Sequence, residues 1–227
     1  MVINMTSFIL KIIGIVTMLC DHAGDALIGH FSFLNLIGRI AFPIFAFQAV
    51  QGYIHTSNIK KYMLRLFVFA CISQIPFMLF LSTFANNYYL NIFFTLLLGT
   101  IALYGYDKIK NKYLRGPFAI LIFVIAHFIQ VDYGAYGVIV IFLFYIFNTK
   151  FNNKILMCLA FTILTIFKYL PNIINYPSVS SIYLNCILFT CISLIPVCLY
   201  NGKQGPKAKY LFYLFYPVHL LILYLLT

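Results

Sequence analysis

Nine mostly apolar stretches follow one another along this chain, at 8–28, 33–54, 62–82, 88–106, 116–131, 135–148, 154–170, 180–200 and 210–226, with short connections between them. Most are near the length of about 20 residues that carries an α-helix across the hydrocarbon core of a bilayer. Lipid offers backbone N–H and C=O groups no partners, so such segments must be helical. The fifth and sixth are short and separated only by Val131-Asp132-Tyr133-Gly134, which fits a tight hairpin. Of all residues 63% are hydrophobic and 8% charged, whereas a soluble domain carries about 25% charged residues. A water-soluble globule is therefore excluded, and no long polar run suggests an appended soluble domain. The expected architecture is an all-α, polytopic membrane helix bundle of about nine transmembrane helices, with residues 1–227 forming a single domain.

The charges test that topology. Alternating the connections between two sides puts Lys11, Lys60, Lys61, Arg65, Lys108, Lys110, Lys112, Arg115, Lys150, Lys154, Lys203, Lys207 and Lys209 on one side, 13 of the 15 basic residues. The opposite connections carry none, and the remaining two, Arg39 and Lys168, fall inside segments. By the positive-inside rule the N-terminus is cytoplasmic, the C-terminus extracytoplasmic, and the location the cell membrane. The net charge of +11 thus reflects orientation. No contiguous basic face lies along it for nucleic acid. The first segment reads as a helix rather than a cleavable leader, because no basic residue precedes Ser7 and its apolar run leads straight into Asp21, His22 and Asp25. All six cysteines lie within apolar segments without a Cys-x-x-Cys pair, as small apolar fillers do. Neither an internal repeat nor inverted halves are evident, which argues against a typical secondary transporter.

Ionisable residues inside a span cost several kcal/mol unless they face a partner or a cavity, so each is a functional candidate. The first segment holds Asp21-His22-x-x-Asp25 and the second holds Arg39. Asp21 lies ten residues beyond Lys11, about 15 Å along a helix and near mid-membrane. The short 29–32 connection makes the first two segments antiparallel neighbours, so Arg39 reaches the Asp21–Asp25 level. Residues three or four apart share a helix face, so one cluster of a histidine, two carboxylates and a guanidinium is geometrically natural. An ion pair alone accounts for the charges but leaves His22 unexplained; a neutral imidazole oriented by a carboxylate is arranged as a general base. A metal is not expected, since Asp21, His22 and Asp25 are few ligands and a further histidine, His127 or His219, would be needed. His219 after Pro217 reads mainly as a hydrogen-bonded packing residue, His30 and His55 sit at segment ends, and Lys168 snorkels to the outer interface. Gln48, Gln51, Ser73, Gln74, Asn91 and Thr95 either line a cavity or bond between helices.

Particular runs carry a resemblance: Leu10-Lys11-Ile12-Ile13-Gly14 through Cys20-Asp21-His22, Ile37-Gly38-Arg39-Ile40-Ala41-Phe42-Pro43, Gln51-Gly52-Tyr53-Ile54-His55-Thr56, Gln74-Ile75-Pro76-Phe77, Asn91-Ile92-Phe93-Phe94-Thr95-Leu96 and Phe215-Tyr216-Pro217-Val218-His219. In these the chain resembles the TraX family, most densely in its first 100 residues. The resemblance implies membrane-embedded acetyl transfer, the namesake acetylating the N-terminus of a pilin subunit. It also implies a distant similarity to transmembrane acyltransferases that use acetyl-CoA through an intramembrane histidine and a nearby arginine, here His22 and Arg39. Where family members often carry Glu, this chain has Gln51, so no acid role is expected there.

The function expected from the residues and the resemblance is transfer of an acetyl group from cytoplasmic acetyl-CoA to an amine or hydroxyl of an envelope acceptor, a peptide or pilin N-terminus, a glycan or a lipid. His22 is the base, oriented by Asp21 or Asp25, and Arg39 stabilises the thioester or the oxyanion. Arg39, Lys60, Lys61 and Arg65 are the expected acetyl-CoA contacts. A proton-coupled transporter using Asp21, His22 and Asp25 as a relay, and a non-catalytic envelope assembly subunit, are the alternatives.

Overall fold

A computed structural model describes residues 5–29, 32–85 and 89–227; His30 lies outside them. Helix α1 (Ser7–Leu27) starts at Thr6, whose hydroxyl accepts from the Ile9 amide. The first amides of a helix lack intrahelical acceptors. Those of Ser7 and Phe8 donate instead to the carbonyls of Lys203 and Gln204, at 2.9 and 3.0 Å. The connection before the last helix is thereby fastened under the first.

The second apolar segment is broken into α2 (Phe33–Gly38) and α3 (Ala41–His55). Pro43 has no N–H for the Arg39 carbonyl, so a continuous helix would leave that acceptor empty, and the chain turns at Arg39–Ile40. Asn58 caps α4 (Ile59–Leu81) and Asn91 caps α5 (Ile92–Lys108). The pair α6 (Lys112–Phe128) and α7 (Gly134–Tyr145) forms a hairpin whose connection bonds back to Leu90 through Gln130 and Asp132. After a π-helical turn at Ile146–Lys150 come α8 (Lys154–Asn175), a 3-10 turn at Pro177–Val179, α9 (Ser180–Ile192), α10 (Leu194–Cys198) and α11 (Lys209–Leu226). Pro196 explains the break between α9 and α10, since it cannot donate to the Ile192 carbonyl. Among the described residues there is no strand, only isolated bridges at Met5–Tyr200 and Leu90–Val131.

Five stretches are long and apolar enough to cross a membrane: Ser7–Leu27, Phe33–His55, Ile59–Leu81, Lys154–Asn175 and Pro177–Cys198. Gly134–Lys150 and Tyr210–Leu226 are apolar but shorter. The bundle is apolar outside as well as inside, with Ile155, Leu159, Ile163 and Phe167 of α8 exposed. A surface of that kind suits lipid rather than water. At the centre α3 buries Ile44, Ala46 and Val50 completely, packed on α1, α5 and α7. Helix α11 returns to lie between α1 and α4, so the end of the chain stands beside its beginning.

Candidate active site

The polar residues of α1 divide between two neighbours. Toward α2, Asn35 is the hub. Its Oδ1 accepts from the Ser32 amide at 3.0 Å and hydroxyl at 2.7 Å, closing a capping box at the start of α2. Its Nδ2 donates to the Asp21 carbonyl at 2.9 Å, to Asp21 Oδ1 at 3.3 Å and to Asp25 Oδ1 at 2.9 Å. Arg39 completes the network, with Nη2 donating to Asp21 Oδ1 at 3.1 Å and Nε to the Asn35 carbonyl at 3.2 Å. Two glycines allow the helices this close. A Cβ on Gly38 would fall on the Asp21 side chain, and one on Gly24 would stand 2.6 Å from Ser32 Oγ. Asp21, Asp25 and Arg39 thus meet as one cluster. Asn35 carries no charge and is not found by searching for ionisable groups; the Ser32-x-x-Asn35 capping pattern is the signal that exposes it.

His22 is turned about 100° around the helix from Asp21, and its partner is different. Its Nδ1 lies 2.7 Å from Nε2 of His219 on α11, with the rings within 12° of parallel. The expected orienting carboxylate is therefore replaced by a second imidazole, because Asp21 and Asp25 are occupied at the α2 interface. The network assigns the protons. His219 Nδ1 lies 2.7 Å from the Phe215 carbonyl, which only accepts, so His219 carries its proton on Nδ1. Its Nε2 is then an acceptor, His22 must donate from Nδ1, and the free lone pair of neutral His22 is on Nε2. Phe80 and Tyr216 flank this pair, 5.2 and 6.3 Å from the His22 ring between centroids.

Below the histidines a cavity of about 550 Å³ runs between α1, α3, α4, α5 and α11. That volume lies within the range of about 300–1,000 Å³ usual for small-molecule sites. Its mouth is at the end of the bundle where the basic residues gather, by the exposed His55, Gln204 and Lys207. Its wall holds Lys11, Gln48, Gln51, Arg65 and Lys207, and its inner end reaches Met18, Ile92, Phe93 and Tyr216. Met18 is one turn of α1, about 6 Å, short of His22. Arg65 Nε is buried on this wall without a hydrogen-bond partner among the described residues. Lys60 and Lys61 are exposed at the start of α4 and stand off the wall; Arg39, His22 and His219 are not on it either, the histidine pair lying just beyond its inner end. Lys11 and Lys207, read from sequence as topology markers, are on it.

The other candidates lie elsewhere. His127 is exposed beside Phe128. Lys168 is half-buried under three tyrosine rings, Tyr133, Tyr136 and Tyr169, at 4.3–5.1 Å, rather than simply reaching for an interface. Gln74 and Asn91 bond to each other between α4 and the start of α5, as interhelical ties. Among the described residues no three His, Cys, Asp or Glu side chains converge as a metal-ligating set.

The chain matches the family model described as TraX protein over residues 7–227. It is 29% identical over 245 residues to the probable fimbrial assembly protein FimC, serogroup H1, of Dichelobacter nodosus, covering 97% of this chain and 95% of that protein. It is 27% identical over 161 residues to the uncharacterized protein RP591 of Rickettsia prowazekii (strain Madrid E), covering 68% of this chain and 62% of that one. No solved structure matches.

Proposed function

This chain belongs to the TraX family, and from that premise we propose that it is an integral-membrane acetyltransferase, taking the acetyl group of acetyl-CoA at its basic end and passing it to an amine or hydroxyl of an envelope acceptor. The basic end faces the cytoplasm in this reading, with the N-terminus inside and the C-terminus outside, because Lys and Arg concentrate at cytoplasmic membrane edges. The observation that carries the proposal is the cavity. It opens among Lys11, Arg65 and Lys207, holds a buried guanidinium nitrogen with no partner among the described residues, and ends one helical turn from a histidine pair.

An unpaired buried donor costs about 1–3 kcal/mol, a cost that an anionic ligand would remove. The phosphates of acetyl-CoA would meet Arg65, Lys11 and Lys207, while Lys60 and Lys61 outside the wall attract the anionic donor toward the mouth. The pantetheine arm would follow the apolar wall inward. His22 Nε2 takes the proton from the acceptor's N–H or O–H as the nucleophile forms its bond to the thioester carbonyl carbon. The C–S bond then breaks, and the sulfur leaves with the proton returned by the His22 imidazolium. His22 Nδ1–H, bonded to His219, holds the ring in the tautomer this needs. Asp21, Asp25 and Arg39 hold α1 on α2 and so set the depth and rotation of His22.

Protein purified into nanodiscs tests the reading. Release of CoA from acetyl-CoA, with ethanolamine offering both an amine and a hydroxyl, is expected from the wild type and lost in His22→Gln. Mass spectrometry of the envelope with and without the gene is expected to find an acetyl-sized mass difference that identifies the acceptor. A second reading, a non-catalytic assembly subunit, draws on the fimbrial assembly name of the relative that matches nearly the whole chain. It predicts no acetyl-CoA binding and His22 variants that alter only assembly. Substrate flux without an acyl product would favour a transporter instead.

A further inference from the structure

We infer that Tyr216 is a catalytic residue of this site, its phenol donating the hydrogen bond that stabilises negative charge on the thioester oxygen. The inference rests on the acetyl-transfer reading and adds the group that reading lacks. Acyl transfer drives charge onto the carbonyl oxygen, and a donor aimed there in a water-poor site is a large contributor to catalysis. Arg39, expected from sequence to serve, is engaged by Asp21 Oδ1 and the Asn35 carbonyl and stands off the cavity wall.

Tyr216 meets the requirement at each point. It forms part of the inner end of the cavity. Its ring is 6.3 Å from that of His22 and 5.7 Å from that of His219, so Tyr216 stands between the inner end of the cavity and the histidine pair. The residue is 3% exposed, and its phenol proton has no acceptor among the described residues. Buried hydroxyls are rarely left unpaired in native proteins. Phenylalanine, used at positions 212 and 215 of the same helix, would fill the volume without that cost. The ring is held edge-on by Phe93 at 5.3 Å and flanked by Phe77 at 6.5 Å, so the phenol is preorganised. The backbone amide of Ile92, first in α5, faces the phenol oxygen. An N–H on that side leaves the phenol proton to be given elsewhere, and the positive end of the α5 dipole lies in the same place.

Ser73 supplies the control. Its hydroxyl is buried with no partner among the described residues, but it is not on the cavity wall. With acetyl-CoA and ethanolamine as probes, nanodisc-embedded Tyr216→Phe is expected to lose about 10²- to 10³-fold in kcat. KM for acetyl-CoA and the pH profile should stay as in the wild type, and Ser73→Ala should remain within about twofold of it. Difluorotyrosine at position 216 keeps the shape and changes only phenol acidity; a rate that moves with that acidity supports donation. A Tyr216→Phe protein turning over at the wild-type rate, a loss confined to KM, or an equal loss in Ser73→Ala overturns the inference while the acetyl-transfer reading stands. A wild type that neither binds acetyl-CoA nor releases CoA overturns the reading, and the inference with it.

Discussion

Asp21 and His22 are adjacent in sequence and sit in opposite kinds of environment. Asp21, with Asp25, Asn35 and Arg39, belongs to a network in which the groups answer one another across the α1–α2 interface. His22 belongs to a pair with one nitrogen committed and one lone pair free, above a cavity whose wall includes a guanidinium nitrogen without a partner and a phenol proton without an acceptor among the described residues. Polar groups that satisfy each other hold helices together; polar groups left with spare valence are poised for something that arrives. The contrast sorts candidates more sharply than their charge does, and it makes predictions that differ in kind on the two sides.

The largest effect is expected at His22. His22→Gln should lower turnover by about a thousandfold, within the range attributed to general bases, while acetyl-CoA affinity and thermal stability stay near wild type. His219→Asn retains a hydrogen-bonding side chain and should lose less than His22→Gln, with the acidic limb of the pH–rate profile displaced. A His22 variant that keeps its rate but unfolds earlier would put His22 on the structural side of the comparison.

Next in size is the network itself. Asp21→Asn leaves Arg39, whose side chain is 28% exposed, without its carboxylate. Breaking a fully buried pair costs about 3–5 kcal/mol, and partial exposure brings the expectation to about 2 kcal/mol. The double variant Asp21→Asn/Arg39→Gln should recover part of that loss, measured by denaturation in detergent as a double-mutant cycle. Turnover per folded molecule should change little. If turnover collapses in a fully folded Asp21→Asn protein, the network is part of the chemistry and the division fails.

How much of this was readable from the chain follows from the same division. Segment hydropathy located the helices closely, because burial in lipid demands continuous apolar runs. It passed over the break at Arg39–Ile40, which lies inside such a run and is caused by a single proline. The Asp21–Arg39 contact was readable because a short connection makes its helices neighbours. The His22–His219 contact was not, since 197 positions separate the two and hydropathy is silent on which helices pack together. Tyr216 was hidden for another reason. In a chain with 18 tyrosines, a free hydroxyl is distinguished only by the partners around it.

Third in size is the guanidinium on the cavity wall. Arg65→Gln should weaken acetyl-CoA binding by about tenfold, as expected for losing one charge-assisted hydrogen bond, and leave kcat unchanged. Lys60→Gln and Lys61→Gln, which alter exposed charges off the wall, should change affinity less and lose their effect in high salt. Equal losses at all three positions would mean that the basic end attracts the donor without a built site.

The smallest effect tests the rule on a second satisfied cluster. Asp107, at the basic end of α5 and beyond the apolar segment, accepts from Tyr53 at 2.8 Å and Tyr145 at 2.5 Å on Oδ2, and from Lys150 at 3.2 Å on Oδ1. Burial pushes its carboxyl upward, but the two phenols and the ammonium outweigh burial and hold it below the ordinary carboxylate range. A carboxyl depressed in the folded state contributes stability in full above its unfolded value, about 4, and loses it as pH falls through the lower folded value. Stability from this cluster should therefore be flat from neutrality to about pH 5 and decline only in stronger acid. In Asp107→Asn that acid-dependent portion should disappear. The cluster ties α3 and α5 to α7 and its π-helical turn, and its members already answer one another. Asp107→Asn should accordingly leave acetyl-CoA affinity and kcat at wild-type values, although Tyr53, Tyr145 and Asp107 line a cleft of their own of about 410 Å³. A change in either constant would show that satisfied polar groups at this end also serve a ligand, which the behaviour of Arg65 alone could not reveal.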